Sequence, residues 1–332
     1  MSNLQLFFCL ELFSYLFCLQ FFIMALVHPE MYFNVNTKVT CLLWICYDQQ
    51  LLVGTSDGVI QLWHCKSQKM LWKSQLFDED KPILWLAKNE ENIFVQARFA
   101  INLKAIRMED LENGDKIESI ALHNVAMNFC QGDIYEELIA VPIGENQCEI
   151  IKIPNPTDKT EVIEPPSSSG FLGCIKISSE FIFLGYENGQ LKMIEKSTWS
   201  PIFNLNLNHS LLCMDLKNNS LILGTSEDCI FSVKIHTEEQ KYLEIIKKRQ
   251  IPNKGISSLK IRSDNQILIC GSWDSTVRLF SFKKPENLKP LGALKFHQSS
   301  VDCVAVNNET QPYYIAAGSS DGYISIWNVY NQ

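Results

Sequence analysis

No two of the twelve cysteines stand at C-x-x-C spacing. Most sit in apolar, strand-like runs such as Val39-Thr-Cys41-Leu-Leu and Val301-Asp-Cys303-Val, and the six histidines are dispersed. A zinc site or a redox dithiol needs clustered ligands, so neither is expected. Reduced, buried thiols of a cytosolic or nuclear protein are expected instead. Positive charge is also short: 29 Lys and Arg against 37 Asp and Glu leave a formal charge of −8. That balance argues against a general nucleic-acid binder, which carries a basic face. Helical periodicity is almost missing. One window, Asp110-Leu-Glu-Asn-Gly-Asp, looks helical, and its Asn-Gly reads better as a turn. Chemistry is missing as well: we find no G-x-S-x-G elbow, no phosphate-binding glycine loop, no H-E-x-x-H and no paired thiol ligands. No catalytic residue, cofactor or metal is expected, and the protein is not expected to be an enzyme.

What is present is a repeated hairpin. Ile315-Ala-Ala-Gly-Ser-Ser-Asp321-Gly-Tyr-Ile-Ser-Ile-Trp327 reads as a compact strand, a tight turn and an alternating strand. Leu52-Val-Gly-Thr-Ser-Asp57-Gly-Val-Ile-Gln-Leu-Trp63 and Ile269-Cys-Gly-Ser-Trp-Asp274-Ser-Thr-Val-Arg-Leu-Phe280 repeat it. Weaker copies surround Tyr186-Glu-Asn-Gly189 and Thr225-Ser-Glu-Asp228, and the second unit has lost the Asp-Gly turn. Matched positions recur about every 39–47 residues, the length of a four-stranded propeller blade. Seven units can be counted, so the fold expected is an all-β, seven-bladed propeller. Met127-Asn-Phe-Cys130 is assigned as the first strand of the third unit. After Trp327 only five residues remain, so the seventh unit holds three strands. Glu30-Met-Tyr-Phe-Asn-Val-Asn36 is a lone strand before the first unit. Pairing the two would close the ring and cover an exposed edge.

The domain then spans 29–332, with an apolar leader over 1–28. Its run 4–27 has the length of a membrane span, but Glu11 lies inside it and no Lys or Arg precedes Lys38. A non-native extension with Met24 or Met31 as the working start, a membrane anchor, and a helix packed on the domain all stay open. The anchor would make the protein a membrane-tethered or secreted propeller. Only then would the sequons at Asn208, Asn218 and Asn308 matter. The segment from Pro154 to Gly170, rich in Pro and Ser, is a surface connection.

The Gly-Thr-Ser-Asp57-Gly…Leu-Trp63, Gly-Ser-Trp-Asp274…Leu-Phe280 and Gly-Ser-Ser-Asp321-Gly…Ile-Trp327 pieces resemble the WD-repeat family. In that family a His, a Ser or Thr, the turn Asp and the Trp form a structural hydrogen-bonded set. His297, Asp321 and Trp327 fit it, while the Ser/Thr position falls on Ala317, which leaves the set incomplete. The order of Leu138-Ile-Ala-Val-Pro, Phe183-Leu-Gly-Tyr-Glu-Asn-Gly189 and the C-terminal repeats is similar to the ASTRA-associated propeller subunits. The resemblance spans about 33–330, and the leader has no counterpart in it. It implies a nuclear or cytoplasmic scaffold. The implied partners are other proteins, among them the ASTRA and Tel2–Tti chaperone-adaptor machinery, with roles in maturation of phosphatidylinositol-3-kinase-like kinases and in chromatin regulation. Asp57, Asp228, Asp274 and Asp321, with Trp63, Phe280, His297 and Trp327, are read as repeat architecture. Trp273, where sibling turns carry Ser56 and Ser320, is the candidate partner contact.

Overall fold

In the computed structural model the described residues are 28–45, 49–111, 117–121, 128–153, 161–308 and 312–330. The leader, save His28, lies outside them, as does the whole of Pro154–Lys159. Among the described residues no helix is long and apolar enough to cross a membrane.

Alternating apolar positions and Gly or Asp turns produce seven four-stranded antiparallel sheets. Six use four strands consecutive in the chain. Blade 1, for example, is Val39–Ile45, Gln50–Thr55, Val59–His64 and Lys69–Gln75. The seventh combines Val301–Val306, Tyr314–Ser319 and Tyr323–Asn328 with Met31–Asn34 from the other end of the chain. Met31 faces Ile326 and Asn34 faces Tyr323. Glu30 N–H donates to Ile326 O at 2.8 Å and Val35 N–H to Gly322 O at 2.8 Å, extending the ladder at both ends. The seam has its own apolar cluster, in which Phe33 and Ile324 meet Val39 and Trp63. Phe33 stacks on Trp63 at 4.4 Å.

The first strand of each blade lines the axis, and the fourth faces outward with alternating exposure. Apolar side chains fill the spaces between blades. A fully buried aliphatic side chain there contributes about 1.5–3 kcal/mol.

The cysteines follow from this packing. Cys41, Cys174, Cys213 and Cys303 occupy the same place in four inner strands, each opposite a glycine of the second strand: Gly54, Gly185, Gly224 and Gly318. A register shift, the mark of a β-bulge, recurs just before each. The thiol fills the space where the glycine lacks a side chain: a Cβ on Gly185 would lie 2.6 Å from Cys174 Sγ. All nine described cysteines are free thiols, eight of them buried. Burial pushes the Cys41 and Cys65 thiols up to about 12, so they stay protonated and inert.

Two expectations fail locally. Of the expected inner strand Met127–Cys130 of blade 3, Met127 lies outside the described residues and Asn128–Cys130 form no strand; the inner strand is Asp133–Tyr135. Asn128 is the cause: its Nδ2 donates to Glu145 O at 2.8 Å and Leu172 O at 2.9 Å, and its Oδ1 accepts Cys130 N–H at 3.1 Å. These bonds fix a loop where a ladder was expected. The Pro154–Gly170 connection is not all loop either, because Glu161–Ile163 forms the outer strand of blade 3.

Gly185→Ala should lower stability by about 1–3 kcal/mol through overpacking. Adding Cys174→Ala should restore part of it, since the next atom, Leu211 Cδ1, lies 3.1 Å from the added Cβ. Urea denaturation checks this, and a double variant no more stable than the single one would refute the pairing.

Candidate partner-docking face

The carboxylates of Asp57, Asp228, Asp274 and Asp321 are not brought together; each serves its own blade. Asp57 accepts Thr55 Oγ1–H at 2.5 Å. Asp228 accepts Gln250 Nε2–H at 2.9 Å. Asp274 accepts Thr276 Oγ1–H at 2.6 Å and Asn253 Nδ2–H at 2.5 Å, and pairs with Arg278. Burial opposes its charge, yet these donors together hold it below the usual carboxylate range. Phe280 is buried where two sibling blades carry Trp.

Blade 7 corrects the expectation of an incomplete set. His297 Nδ1 meets Asp321 at 3.2 and 3.3 Å, and its Nε2 lies 2.8 Å from Ser325 Oγ, which also accepts Trp327 Nε1–H at 2.8 Å. Ala317 is replaced by a serine on the neighbouring strand, two residues before the Trp. Alternation turns Ser325 to the same side as Trp327, so the hydroxyl reaches the same place. The corresponding residues elsewhere are Gln61 in blade 1 and Arg278 in blade 6, both buried. A second correction concerns serine strings. Gly54-Thr-Ser-Asp-Gly58 and Gly318-Ser-Ser-Asp-Gly322 do spell G-x-S-x-G. Both lie in strand–turn–strand hairpins, whereas a nucleophile elbow leads into a helix. Ser56 meets Thr37 and Ser320 donates to Asp302, so neither serine is set against a base histidine.

What the fold does bring together is a ring of residues at one mouth of the axis. A cavity of about 550 Å³ is lined by the starts of inner strands from six blades and, for blade 3, by the loop before its inner strand. Three aromatic side chains stand exposed on it: Phe129 (68%), Trp273 (49%) and Phe171 (45%). Trp273 lies over the backbone of Gly255, where a Cβ would fall 2.1 Å from the indole. Gly255 is therefore the seat of the indole, and its N–H···O bond from Trp273 N to Gly255 O is 3.1 Å. Phe129 is held by the Asn128 loop and stacks on Arg98, whose guanidinium carbon is 3.8 Å from the ring centre and 4.5 Å from that of Phe99. Lys38 and Asp302 pair across the rim at 3.3 Å. Sequence reasoning singled out Trp273 and missed Phe129 and Phe171. The signal for Phe171 was an aromatic directly after the Pro165–Gly170 turn run; for Phe129 there was none.

Below the mouth the axis narrows and carries charge. Lys176 Nζ lies 3.2 Å from both Asp133 Oδ1 and Asp215 Oδ1. Asp133 also accepts Ile177 N–H at 2.8 Å, and Asp215 accepts Ile261 N–H at 2.7 Å. The network ties blades 3, 4, 5 and 6. Burial disfavours the Asp215 charge, but Lys176, Lys260 and the Ile261 amide outweigh it and hold its carboxyl below the usual range. Burial also opposes the Lys176 charge, and the two carboxylates overcome it, raising its affinity for the proton.

Among the described residues no group of three or more His, Cys, Asp or Glu could hold a metal ion. Lys176→Met should cost about 3 kcal/mol, because it strands the buried Asp215 carboxylate and takes the cation from the half-buried Asp133. A folded pKa below the unfolded one stabilises above the unfolded value, near 3.9 for Asp, and is lost as pH falls through the folded value. Urea midpoints of the unaltered protein should therefore drop as pH falls below about 4. In the variant burial is no longer opposed by Lys176, so the Asp215 carboxyl rises and its share of that drop should shrink or reverse; identical profiles would refute the network's role.

Comparison with known proteins places these features. The family described as WD domain, G-beta repeat matches residues 30–64, 246–281 and 288–328. The mouse protein named guanine nucleotide-binding protein subunit beta-like protein 1 is 26% identical over 300 residues, covering 84% of this chain and 87% of its own. ASTRA-associated protein 1 of Schizosaccharomyces pombe is 25% identical over 197 residues, 51% of each chain. The β-propeller domain of Myceliophteria thermophila Cps50 (Swd1) superposes with a TM-score of 0.74 at 13% identity, covering 90% of this chain and all of that one.

Proposed function

Taking as premise that this chain is a seven-bladed WD-repeat propeller, we propose that it is a non-catalytic scaffold whose axial mouth docks other proteins. The observation that carries this is the exposure of Phe129, Phe171 and Trp273 around one cavity. Exposed aromatics clustered on a rigid rim are what binding hot spots are made of. Each is fixed from behind, by Asn128, by the Glu187 carboxylate that accepts Phe171 N–H at 3.3 Å, and by Gly255. Little ordering is left to oppose binding. The rim charges Lys38 and Asp302 already satisfy each other, so the surface favours an apolar segment of a partner.

The names of the relatives support a reading of the partner. Several are called ASTRA-associated protein 1, and we extend that association to this chain. The scaffold then belongs to the ASTRA and Tel2–Tti chaperone-adaptor machinery in the nucleus or cytoplasm, serving assembly of phosphatidylinositol-3-kinase-like kinases and chromatin regulation.

Affinity purification of the tagged chain with mass spectrometry tests both halves. ASTRA subunits should be recovered with the unaltered protein. Phe129→Ala with Trp273→Ala should reduce recovery and weaken binding about 30-fold or more, as loss of a hot spot of 2 kcal/mol or above does. Thermal stability should stay near that of the parent, since both side chains are exposed. Recovery of those subunits at parental levels by the double variant would refute the docking face; recovery of none by the parent would refute the assembly.

A further inference from the structure

Blade 7 contains a histidine site, and blade 1 contains the same site without the histidine. In blade 7 the Asp321 carboxylate takes the Nδ1–H of His297. Trp327 donates to Ser325 Oγ, so that hydroxyl is left to donate its own proton to His297 Nε2. Burial holds the imidazole pKa down, against the pull of Asp321, in keeping with a neutral ring.

The ladder registers make Asp57, Gln61 and Trp63 the counterparts of Asp321, Ser325 and Trp327. Gln61 Oε1 accepts Trp63 Nε1–H at 2.9 Å, as Ser325 does from its Trp. The Gln61 amide N–H is then left to donate, in the role of the serine hydroxyl. Among the described residues the Asp57 carboxylate is bonded only by Thr55 Oγ1. The acceptor and the donor of the histidine site are therefore both kept.

The histidine itself is not. His297 stands four residues before Val301, and the residue four before Val39 is Val35, which is buried in the seam core. The space beside Asp57, Gln61 and Trp63 is a cavity of about 390 Å³, bounded outside by Asn36, Met70 and Lys73. It shares no lining residue with the axial mouth.

We propose that this seam cavity is a binding site for an imidazole side chain, supplied by a histidine on an extended segment of a partner protein. The guest ring donates one N–H to Asp57 and accepts one from Gln61, repeating in trans what His297 does within blade 7. The Lys73 ammonium at the rim disfavours an arginine or lysine guest and is compatible with a neutral ring.

The probe is 4-methylimidazole, added to the full chain at about pH 8, where most of the free ring is neutral. Amide and indole ¹H–¹⁵N resonances are followed, with Trp63 identified by Trp63→Phe. A saturable shift of the Trp63 indole is expected, with the Trp327 indole unmoved because its site is filled. Gln61→Glu keeps the acceptor for Trp63 and removes the N–H, so affinity should fall about tenfold, the effect of one lost hydrogen bond. Asp57→Asn should fall by at least as much. N-acetylhistidine methylamide should compete and its alanine counterpart should not. An unmoved Trp63 resonance, an equal response to methylguanidinium, or undiminished affinity in Gln61→Glu with the Trp327 resonance intact would each overturn the proposal. Should Asp57→Asn fail to fold, Gln61→Glu decides alone.

Discussion

Four residues, Met31–Asn34, add a strand to Tyr323–Asn328, and that ladder turns a row of blades into a ring. Without it blade 7 would end on unpaired backbone groups. The seam cluster around Phe33 and Trp63 would lose one wall. Every blade packs on two neighbours only because the last meets the first. An open row would leave apolar faces at both ends, so closure protects burial across the whole molecule, beyond the few hydrogen bonds it adds.

Within that ring the repeats are held to a shared geometry by contacts that vary in chemistry. The inner-strand thiol fits against a missing side chain on the next strand in four blades; in a fifth Ser258 stands opposite Gly271, whose free side is filled by Val301 and Val304 of the neighbouring blade. In blade 2 the place is taken by Trp85, opposite Gln96. Blade 3 accommodates that bulk with Gly132, where a Cβ would lie 3.2 Å from the Trp85 ring. The degenerate blades are thus compensated by their neighbours. The charged residues on the axis act between blades in the same way, with Lys176 serving two carboxylates that belong to other sheets.

The architecture was legible because its signals are local and periodic. Hairpin alternation, turn Asp and Gly, and spacing needed no tertiary knowledge, and the count of three strands after Val301 exposed the need for an N-terminal partner. The hydrogen-bonded set was misread because strings were compared column by column. A hydroxyl at Ser325 replaces one at Ala317 on the adjacent strand, and only the paired sheet shows that the two positions reach one point. Trp273 was visible as an outlier among turn serines. Phe129 was not, because an apolar residue next to a Cys reads as core until Asn128 is seen to fold the segment back. The empty place at Asp57 was invisible for a similar reason: it consists of a residue that is missing from the preceding loop. The leader lies outside the described residues, so none of its three readings gains from the fold.

The closing strand also sets a timetable. Tyr314 and Glu30, which share a hydrogen bond across the seam, are 284 residues apart in the chain. On a ribosome adding about 5–20 residues per second, the strand at Met31–Asn34 emerges before the other strands of the ring and waits for its partner until the blades between them have been made. During that interval its edge, and the apolar face of Phe33 beside it, are open to any other chain in reach. For this architecture the hazard of misassembly is greatest while the polypeptide is being made, and it ends only when the final hairpin leaves the exit tunnel.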